Sequence, residues 1–472
     1  MTSSSAAPLG APSPANAFAQ RTTREWQMAD QGHHLHPFTD HRTLHGEGSR
    51  IIVRGEGPYI WDSEGHRILD GMAGLWCVNI GYGRRELADV AYRQMMELPY
   101  YNSFFKCTTP TPILLAERLA KLAGGGLNRV FYGSSGSEAN DTAVRLVRYY
   151  WAQMGRPEKQ VIISRKYAYH GSTITGSSLG GSAAMHKQGG TIPGIAHVTA
   201  PYWYGLGGDM SPDEFGRAAA KAIEDKILEL GPENVAAFHG EPIQGAGGVI
   251  IPPASYWPEV QRICRQYDVL LVADEVITAY GRLGRWFGSQ YFGVEPDLIL
   301  TAKALTSGYI PLSAVLVGDR VAEALVNQDG EFYHGYTYSG HPVACAVALA
   351  NLDILENERL VEGADTGVGA YFRRRIAELA DHPLVGEVRS AGMVAAIELS
   401  PDKARRAFFP EKDEGKVGLV CRDHCFRNDL VMRAVRDTMI LSPPLVWHND
   451  QVDELLTKAR IALDLTAKDI GL

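Results

Sequence analysis

The sequence has no apolar run of the roughly 20 residues that a membrane-spanning helix needs. Its longest apolar stretch, Pro342 to Leu355, is followed at once by Glu356. The sequence also lacks a block of basic residues, since 46 Lys and Arg stand against 54 Asp and Glu and the net charge is −8. These absences argue against a membrane anchor and against nucleic acid as a partner.

Cysteine is scarce, with six residues scattered at positions 77, 107, 264, 345, 421 and 425. Scattered cysteines in a long chain are typical of reduced thiols, so we expect a cytoplasmic protein. The group Cys421, His424 and Cys425 lacks the second ligand pair of a zinc site, and the histidine-rich stretch 33–36 is interpreted as a polar loop. No metal site is therefore predicted.

What the sequence does contain is enough length for two domains, in a chain of 472 residues with 50 glycines. Residues 1–24 are rich in Ser, Ala and Pro and contain no acidic residue. They favour a disordered tail over a transit peptide, because no Arg precedes Arg21. We predict the first part of a small domain over 25–75, a large domain over 76–340, and the rest of the small domain over 341–472.

Helices and strands alternate from about residue 110. Short, continuous apolar runs predict strands that are buried on both faces, and such strands belong to mostly parallel sheets. These strands are predicted at 130–132, 160–164, 235–238, 269–276 and 297–302. Periodicity and capping residues predict helices at 112–122, 141–154, 212–230, 342–356, 368–380, 418–428 and 449–465. The pattern indicates an α/β large domain with a mostly parallel sheet, beside a smaller α+β domain.

A loop rich in Gly and Ser follows the first of these strands, in the segment Tyr132 to Asn140. Backbone N–H groups at the start of the next helix, together with the Ser137 hydroxyl, are suited to bind a phosphate. The same segment is also compatible with an ordinary turn, since Gly and Ser dominate turns.

Two charged residues end or follow apolar strands. Asp274 ends the run Leu270 to Ala273, where burial is costly unless the carboxylate has a partner such as a cationic ring nitrogen. Lys303 follows Leu298 to Ala302, where desolvation lowers the pKa of an amine and makes it nucleophilic. Each has a plain alternative: Asp274 could cap the next loop, and Lys303 could extend to the surface.

Taken together, a phosphate loop, a buried Asp and a buried Lys are what pyridoxal 5'-phosphate requires. They supply a phosphate cradle, a partner for the pyridinium nitrogen and an amine that holds the cofactor as a Schiff base.

Longer motifs extend this pattern over nearly the whole chain: LDGMAGLWCVNIGYGR from Leu69, SGSEAND from Ser135, YHGST from Tyr169, GEPIQGAGGVI from Gly240, LLVADEVI from Leu270 and HGYTYSGHP from His334. With these motifs the chain resembles the class III aminotransferases, within the omega-amine:pyruvate (omega-transaminase) subgroup. The resemblance implies pyridoxal-phosphate transferase fold type I, with a sheet of the seven-stranded type in the large domain.

The resemblance implies cofactor contacts beyond Lys303 and Asp274. Gly136 and Ser137 would hold the phosphate, Tyr169 would stack on one face of the ring, and Val276 would pack on the other. Glu241 would also belong to the cofactor site.

The resemblance further implies a substrate pocket and a subunit interface. Thr337 would reach the phosphate of the neighbouring subunit's cofactor, which implies a homodimer or a dimer of such dimers. The pocket would be lined by Phe38, Trp76, Phe104 and Tyr169. Arg433 would receive a substrate carboxylate. The alternatives are that these aromatic residues are core packing and that Arg433 pairs with Asp437.

The implied reaction is a transamination in which a primary amine or omega-amino compound gives its amino group to a keto acid, expected to be pyruvate. An aminomutase or a decarboxylating transaminase would share the cofactor residues and differ in the pocket. A nicotinamide dehydrogenase is disfavoured, because the loop SSGSEAN does not fit the G-x-G-x-x-G pattern.

Overall fold

The structure is a computed structural model that describes residues 21–327 and 329–472. Its strands are β1 Ile52–Glu56, β2 Tyr59–Asp62, β3 Arg67–Asp70, β4 Arg129–Gly133, β5 Val161–Arg165, β6 Ile195–Val198, β7 Val235–Gly240, β8 Leu270–Asp274, β9 Leu298–Thr301, β10 Ser313–Val317, β11 Val385–Ala391, β12 Val394–Leu399, β13 Leu430–Val431, β14 Arg433–Val435 and β15 Thr438–Leu441.

The helices between them are α1 Thr23–His33, α2 His41–Glu47, α3 Ala73–Trp76, α4 Arg85–Glu97, α5 Pro110–Ala123, α6 Gly136–Gln153, α7 Ile174–Leu179, α8 Ala183–Gly189, α9 Trp203–Leu206, α10 Pro212–Leu230, α11 Tyr256–Gln266, α12 Gly288–Phe292, α13 Asp319–Val326, α14 Pro342–Asn357, α15 Leu360–Thr366, α16 Val368–Ala377, α17 Lys416–Arg427 and α18 Asn449–Ile470. In the part of the chain that the structure describes, none of them has the length and apolar character to cross a membrane.

The central sheet has seven strands in the order β4-β10-β9-β8-β7-β5-β6. Pairing is parallel from β9 through β8, β7 and β5 to β6, whereas β10 runs antiparallel to both β4 and β9. Strands β7, β8 and β9 are buried along their whole length, as their continuous apolar runs predict, and so is β10. The predicted α/β fold is confirmed, although strands β6 and β10 of this sheet are not among those predicted from the sequence.

Because β10 is antiparallel to both neighbours, β4 points in the same direction as β9. The carboxyl ends of β4, β5, β7, β8 and β9 therefore meet at one edge of the sheet, where open α/β sheets bind their ligands.

Two smaller sheets complete the molecule, with the orders β1-β2-β3-β13 and β11-β12-β15-β14. Strand β13 pairs parallel with β3, through Leu430 opposite Leu69 and Val431 opposite Asp70. The N-terminal meander and the C-terminal region therefore share one sheet.

Of the predicted disordered tail, 1–24, residues 1–20 lie outside the described part of the chain. At its end the prediction is wrong, because helix α1 already begins at Thr23. Thr22 and Glu25 form a capping box, in which each side chain accepts the other residue's backbone N–H. This box satisfies N–H groups at the helix start that otherwise lack a partner.

Candidate active site

A cavity of about 200 Å³ opens at the carboxyl edge of the central sheet. It is lined by Leu75, Gly136, Ser137, Asn140, Tyr169, His170, Gly171, Glu241, Asp274, Val276, Ile277 and Lys303. The structure thus brings together all but one of the predicted cofactor residues, and the exception is Thr337.

Lys303 enters this cavity from a strained turn directly after β9. Its φ is 47°, a left-handed conformation that non-glycine residues rarely adopt. The turn is held by Asn351 of α14, whose side-chain amide donates to the backbone oxygens of Ala304 at 2.9 Å and Leu305 at 3.1 Å. Burial lowers the pKa of the Lys303 amine, while the charge of Asp274 opposes this shift. The amine is therefore biased towards its neutral, nucleophilic form.

Asp274 ends β8 on the floor of the cavity and is 4% exposed. Its Oδ2 accepts hydrogen bonds from His170 Nδ1 at 2.7 Å and Asn140 Nδ2 at 3.0 Å, and its Oδ1 accepts from the Val276 N–H at 3.1 Å. Burial alone would raise the pKa of Asp274, but the hydrogen bond and charge of His170, with smaller contributions from His239 and Asn140, lower it to about 2. The group is an anion at neutral pH.

The start of helix α6 forms a cradle on one side of the cavity. The helix begins at Gly136, five residues earlier than the predicted start at residue 141, because Ser135 caps it by accepting the Glu138 N–H at 3.2 Å. The backbone packs closely here. A Cβ on Gly136 would lie 3.2 Å from the methyl groups of Val276, and a Cβ on Gly171 would lie 2.8 Å from Ser137 Cα. Helix-start N–H groups in a cleft that glycines keep open suit an anion such as phosphate.

Tyr169 and Glu241 form another wall. The backbone N–H of Tyr169 donates to Glu241 Oε1 at 3.2 Å, and that of Gly245 donates to Oε2 at 3.0 Å. Burial raises the pKa of Glu241. The ring of Phe38 packs edge-on against the ring of Tyr169, with a centroid distance of 6.2 Å. Phe38 is 77% exposed, so it lies at the mouth of the site.

Trp76, predicted to line the substrate pocket, is only 1% exposed. It packs in an apolar cluster with Met72, Ile243 and Val249, and it is its neighbour Leu75 that lines the cavity. Helix α3 is kinked, with Trp76 at φ 67° and Leu75 at non-helical angles, and this kink turns the Leu75 side chain outward.

Phe104 and Thr337 lie together, away from this chain's cavity lining. Tyr100 donates its hydroxyl to the Thr337 backbone oxygen at 2.6 Å, and a Cβ on Gly335 would lie 2.9 Å from Phe104 Cζ. Both residues are exposed, as are the neighbouring Phe105 and Tyr338 side chains.

Arg433 lies in β14, partly buried, and forms no ion pair with any residue that the structure describes. Burial lowers its pKa. Asp437, the alternative partner, instead accepts the backbone N–H groups of Gly415 at 2.8 Å and Gly418 at 2.9 Å. The pairing of Arg433 with Asp437 is therefore not observed.

The family model of the class III aminotransferases matches residues 44–463. This chain is a class III aminotransferase. It is 59% identical to the putrescine–pyruvate aminotransferase of Pseudomonas aeruginosa over 446 residues, 94% of this chain and 97% of that protein.

Solved structures agree with this aminotransferase assignment. A thermostable (S)-enantioselective omega-transaminase from Thermomicrobium roseum superposes with a TM-score of 0.91 at 44% identity, over 95% of this chain and 99% of that one. The omega transaminase of Pseudomonas jessenii in complex with PMP superposes with a TM-score of 0.91 at 40% identity, over 94% and 99%.

The cofactor of this aminotransferase is pyridoxal phosphate, and the cavity fits it. A carboxylate has about four acceptor positions, and Asp274 uses three, so one remains for a protonated ring nitrogen. The N–H groups at the start of α6 would bind the phosphate, and the Lys303 amine would bind the aldehyde. His170 and Asn140, which hold Asp274, and Asn351, which holds the Lys303 turn, are not among the predicted site residues. The signal for His170 was its place directly after Tyr169 in the motif YHGST.

Proposed function

We propose that this aminotransferase moves an amino group from a primary amine or diamine to pyruvate and releases alanine. The observation that carries the proposal is that Lys303 and the buried Asp274 line one cavity at the carboxyl edge of the central sheet. The similarity to a protein named for putrescine and pyruvate supports the choice of substrates.

The proposed cofactor contacts follow from this cavity. When bound, pyridoxal phosphate supplies an aldehyde that condenses with amines and a ring that withdraws electrons from the adjacent carbon. Gly136 and Ser137 would hold its phosphate, and Tyr169 and Val276 would enclose the ring. Glu241 fixes the backbone that carries Tyr169.

Lys303 is the proton-transfer group in this proposal. Its Nζ, whose pKa is lowered by burial, accepts a proton from the carbon that bears the donor's amino group and later releases it. A positioned amine of this kind contributes about 10²–10⁴-fold to the rate. Asp274 would keep the ring nitrogen of the bound cofactor protonated, and the hydrogen bond from His170 holds the carboxylate in place.

Recognition of two unlike substrates is assigned to different parts of the pocket. Phe38, Tyr169 and Leu75 offer apolar surface to the carbon chain of the amine, with Trp76 behind them. Arg433 binds the carboxylate of the keto acid, since a guanidinium forms bidentate hydrogen bonds with carboxylates.

We propose a homodimer in which Thr337 and Phe104 contribute to the partner's site. Both lie outside their own chain's cavity lining, on a surface with exposed apolar side chains that include Phe105 and Tyr338. Such surfaces mark protein–protein contacts. Dilution of the holoenzyme should therefore reduce activity in parallel with dissociation, and a fully active monomer in light scattering would contradict the dimer.

A cytoplasmic location is part of the same proposal. All six cysteines are free thiols, which fits a reducing compartment.

The decisive experiment is an amine panel run against pyruvate and against 2-oxoglutarate. Putrescine, butylamine and β-alanine, each at several concentrations, should give alanine with pyruvate at the higher kcat/KM. Faster turnover with 2-oxoglutarate for every donor would refute the choice of acceptor. Rearranged amine without a new amino acid product would refute transamination.

A further inference from the structure

The histidine-rich stretch that follows α1 folds back on Asp30. Asp30 Oδ1 accepts from His34 Nδ1 at 3.0 Å and from His36 Nε2 at 2.8 Å. Its Oδ2 accepts from the Ser49 hydroxyl at 2.7 Å. One carboxylate and two imidazole nitrogens thus converge on one point, outside the cofactor cavity.

The three groups have the chemistry and the spacing of a transition-metal site. Their ligand atoms all lie within 4.8 Å of one another. Zn²⁺ binds His nitrogen and carboxylate oxygen at about 2.0–2.2 Å, so neighbouring ligand atoms of a tetrahedral ion are about 3.3 Å apart. The distances from Asp30 Oδ1 to the two imidazole nitrogens, 2.8 and 3.0 Å, need to grow by only a few tenths of an ångström.

Solvent access also permits metal binding. The His34 side chain is 63% exposed and that of His36 is 26% exposed, so an ion can reach the group. The ring nitrogens that face Asp30 serve as ligands in the tautomer whose proton is on the opposite ring nitrogen. Neutral imidazole allows either arrangement.

We propose that Asp30, His34 and His36 form a binding site for one divalent transition-metal ion, of the type of Zn²⁺, with water as the fourth ligand. The ion closes the loop 34–40 onto helix α1. That loop carries Phe38, whose backbone has φ 51° and whose ring packs on Tyr169 of the active site. Metal binding therefore holds the mouth of the substrate pocket in place.

The test is titration of tag-free holoenzyme with Zn²⁺ by calorimetry. His33 lies next to the site in the sequence, is exposed, and is not one of the three ligands, so His33→Ala is the matched control. The parent and His33→Ala should bind one more Zn²⁺ per chain than His36→Ala. His34→Ala, which changes an exposed side chain and spares the fold, should weaken binding at least about tenfold, since even outer-shell changes cost 10–100-fold.

Equal zinc stoichiometry and affinity in the parent, His34→Ala and His36→Ala would overturn the proposal, as would equal loss in His33→Ala. The closing of the loop has its own readout in amide hydrogen exchange over residues 35–40. Exchange should slow on addition of Zn²⁺ in the parent and stay unchanged in His34→Ala. Unchanged exchange in the zinc-bound parent would refute the effect on the loop.

Discussion

Replacing Arg433 with Ala should separate the two halves of the reaction. Arg433 is partly buried and has no ion-pair partner among the described residues. Burial is the largest cause of the lowered pKa of Lys303, and the charge of Arg433 adds to that lowering. A keto-acid carboxylate would be the partner of Arg433. Loss of a charged hydrogen-bonded pair, with one partner left unpaired in the pocket, costs about 2–4 kcal/mol. This corresponds to about a 30- to 900-fold loss in kcat/KM for the keto acid.

The assay follows each half-reaction separately by the absorbance of the bound cofactor under single-turnover conditions. In one half, the aldehyde form reacts with butylamine, which has no carboxylate, and Arg433→Ala should change its rate much less. In the other half, the amine form reacts with pyruvate, where the large loss is expected. Arg433→Lys is the control, because it keeps the charge but not the bidentate geometry. Its kcat/KM for pyruvate should fall between those of the parent and of Arg433→Ala. Equal losses in both halves would show that Arg433 acts through the structure of the pocket instead.

Three further predictions concern buried charges. Lys303→Ala should bind the cofactor without a covalent link, visible in its absorption spectrum, and show negligible turnover, whereas full activity would refute the role of Lys303. Asp274→Asn should lower kcat at least about tenfold, on the scale of a charged hydrogen bond, with little change in protein yield; unchanged kcat would contradict its part in holding the ring proton. Burial, together with the charge of Arg156, lowers the pKa of Lys159 from 10.5 to about 8. Between pH 8 and pH 10.5, Lys159 therefore holds a proton in the unfolded chain but not in the folded chain. The free energy of unfolding of the parent should therefore rise relative to Lys159→Met from pH 8 to 10.5 in urea denaturation, and a constant difference would refute the shift.

Five of the seven strands of the central sheet, β4, β5, β7, β8 and β9, and the charged edge could be predicted because their signals are local. Asp274 and Lys303 each stand at the end of a continuous apolar run, and such a run specifies both a buried strand and the exit point of its last side chain. The loop before Ser137 was found for the same reason, although its helix begins earlier than the periodicity indicated.

Contacts between distant segments could not be predicted in this way. His170 reaches Asp274 from 104 positions away in the sequence, and Asn351 supports the Lys303 turn from 48 positions away. The exchange of roles between Trp76 and Leu75 depends on left-handed backbone angles in α3, which non-glycine residues avoid and which composition does not reveal. Three-dimensional packing imposes such angles against the local preference.

The left-handed backbone at Lys303 also bears on how this protein can be improved. A non-glycine residue held in that conformation costs the fold about 1–2 kcal/mol. Lys303→Gly should accordingly unfold at a higher temperature than Lys303→Ala, because glycine adopts this conformation without strain. The more stable variant would thus be an inactive one. Selection for thermal stability alone would therefore favour variants that have lost Lys303. A library screened for thermal stability needs an activity assay at every round.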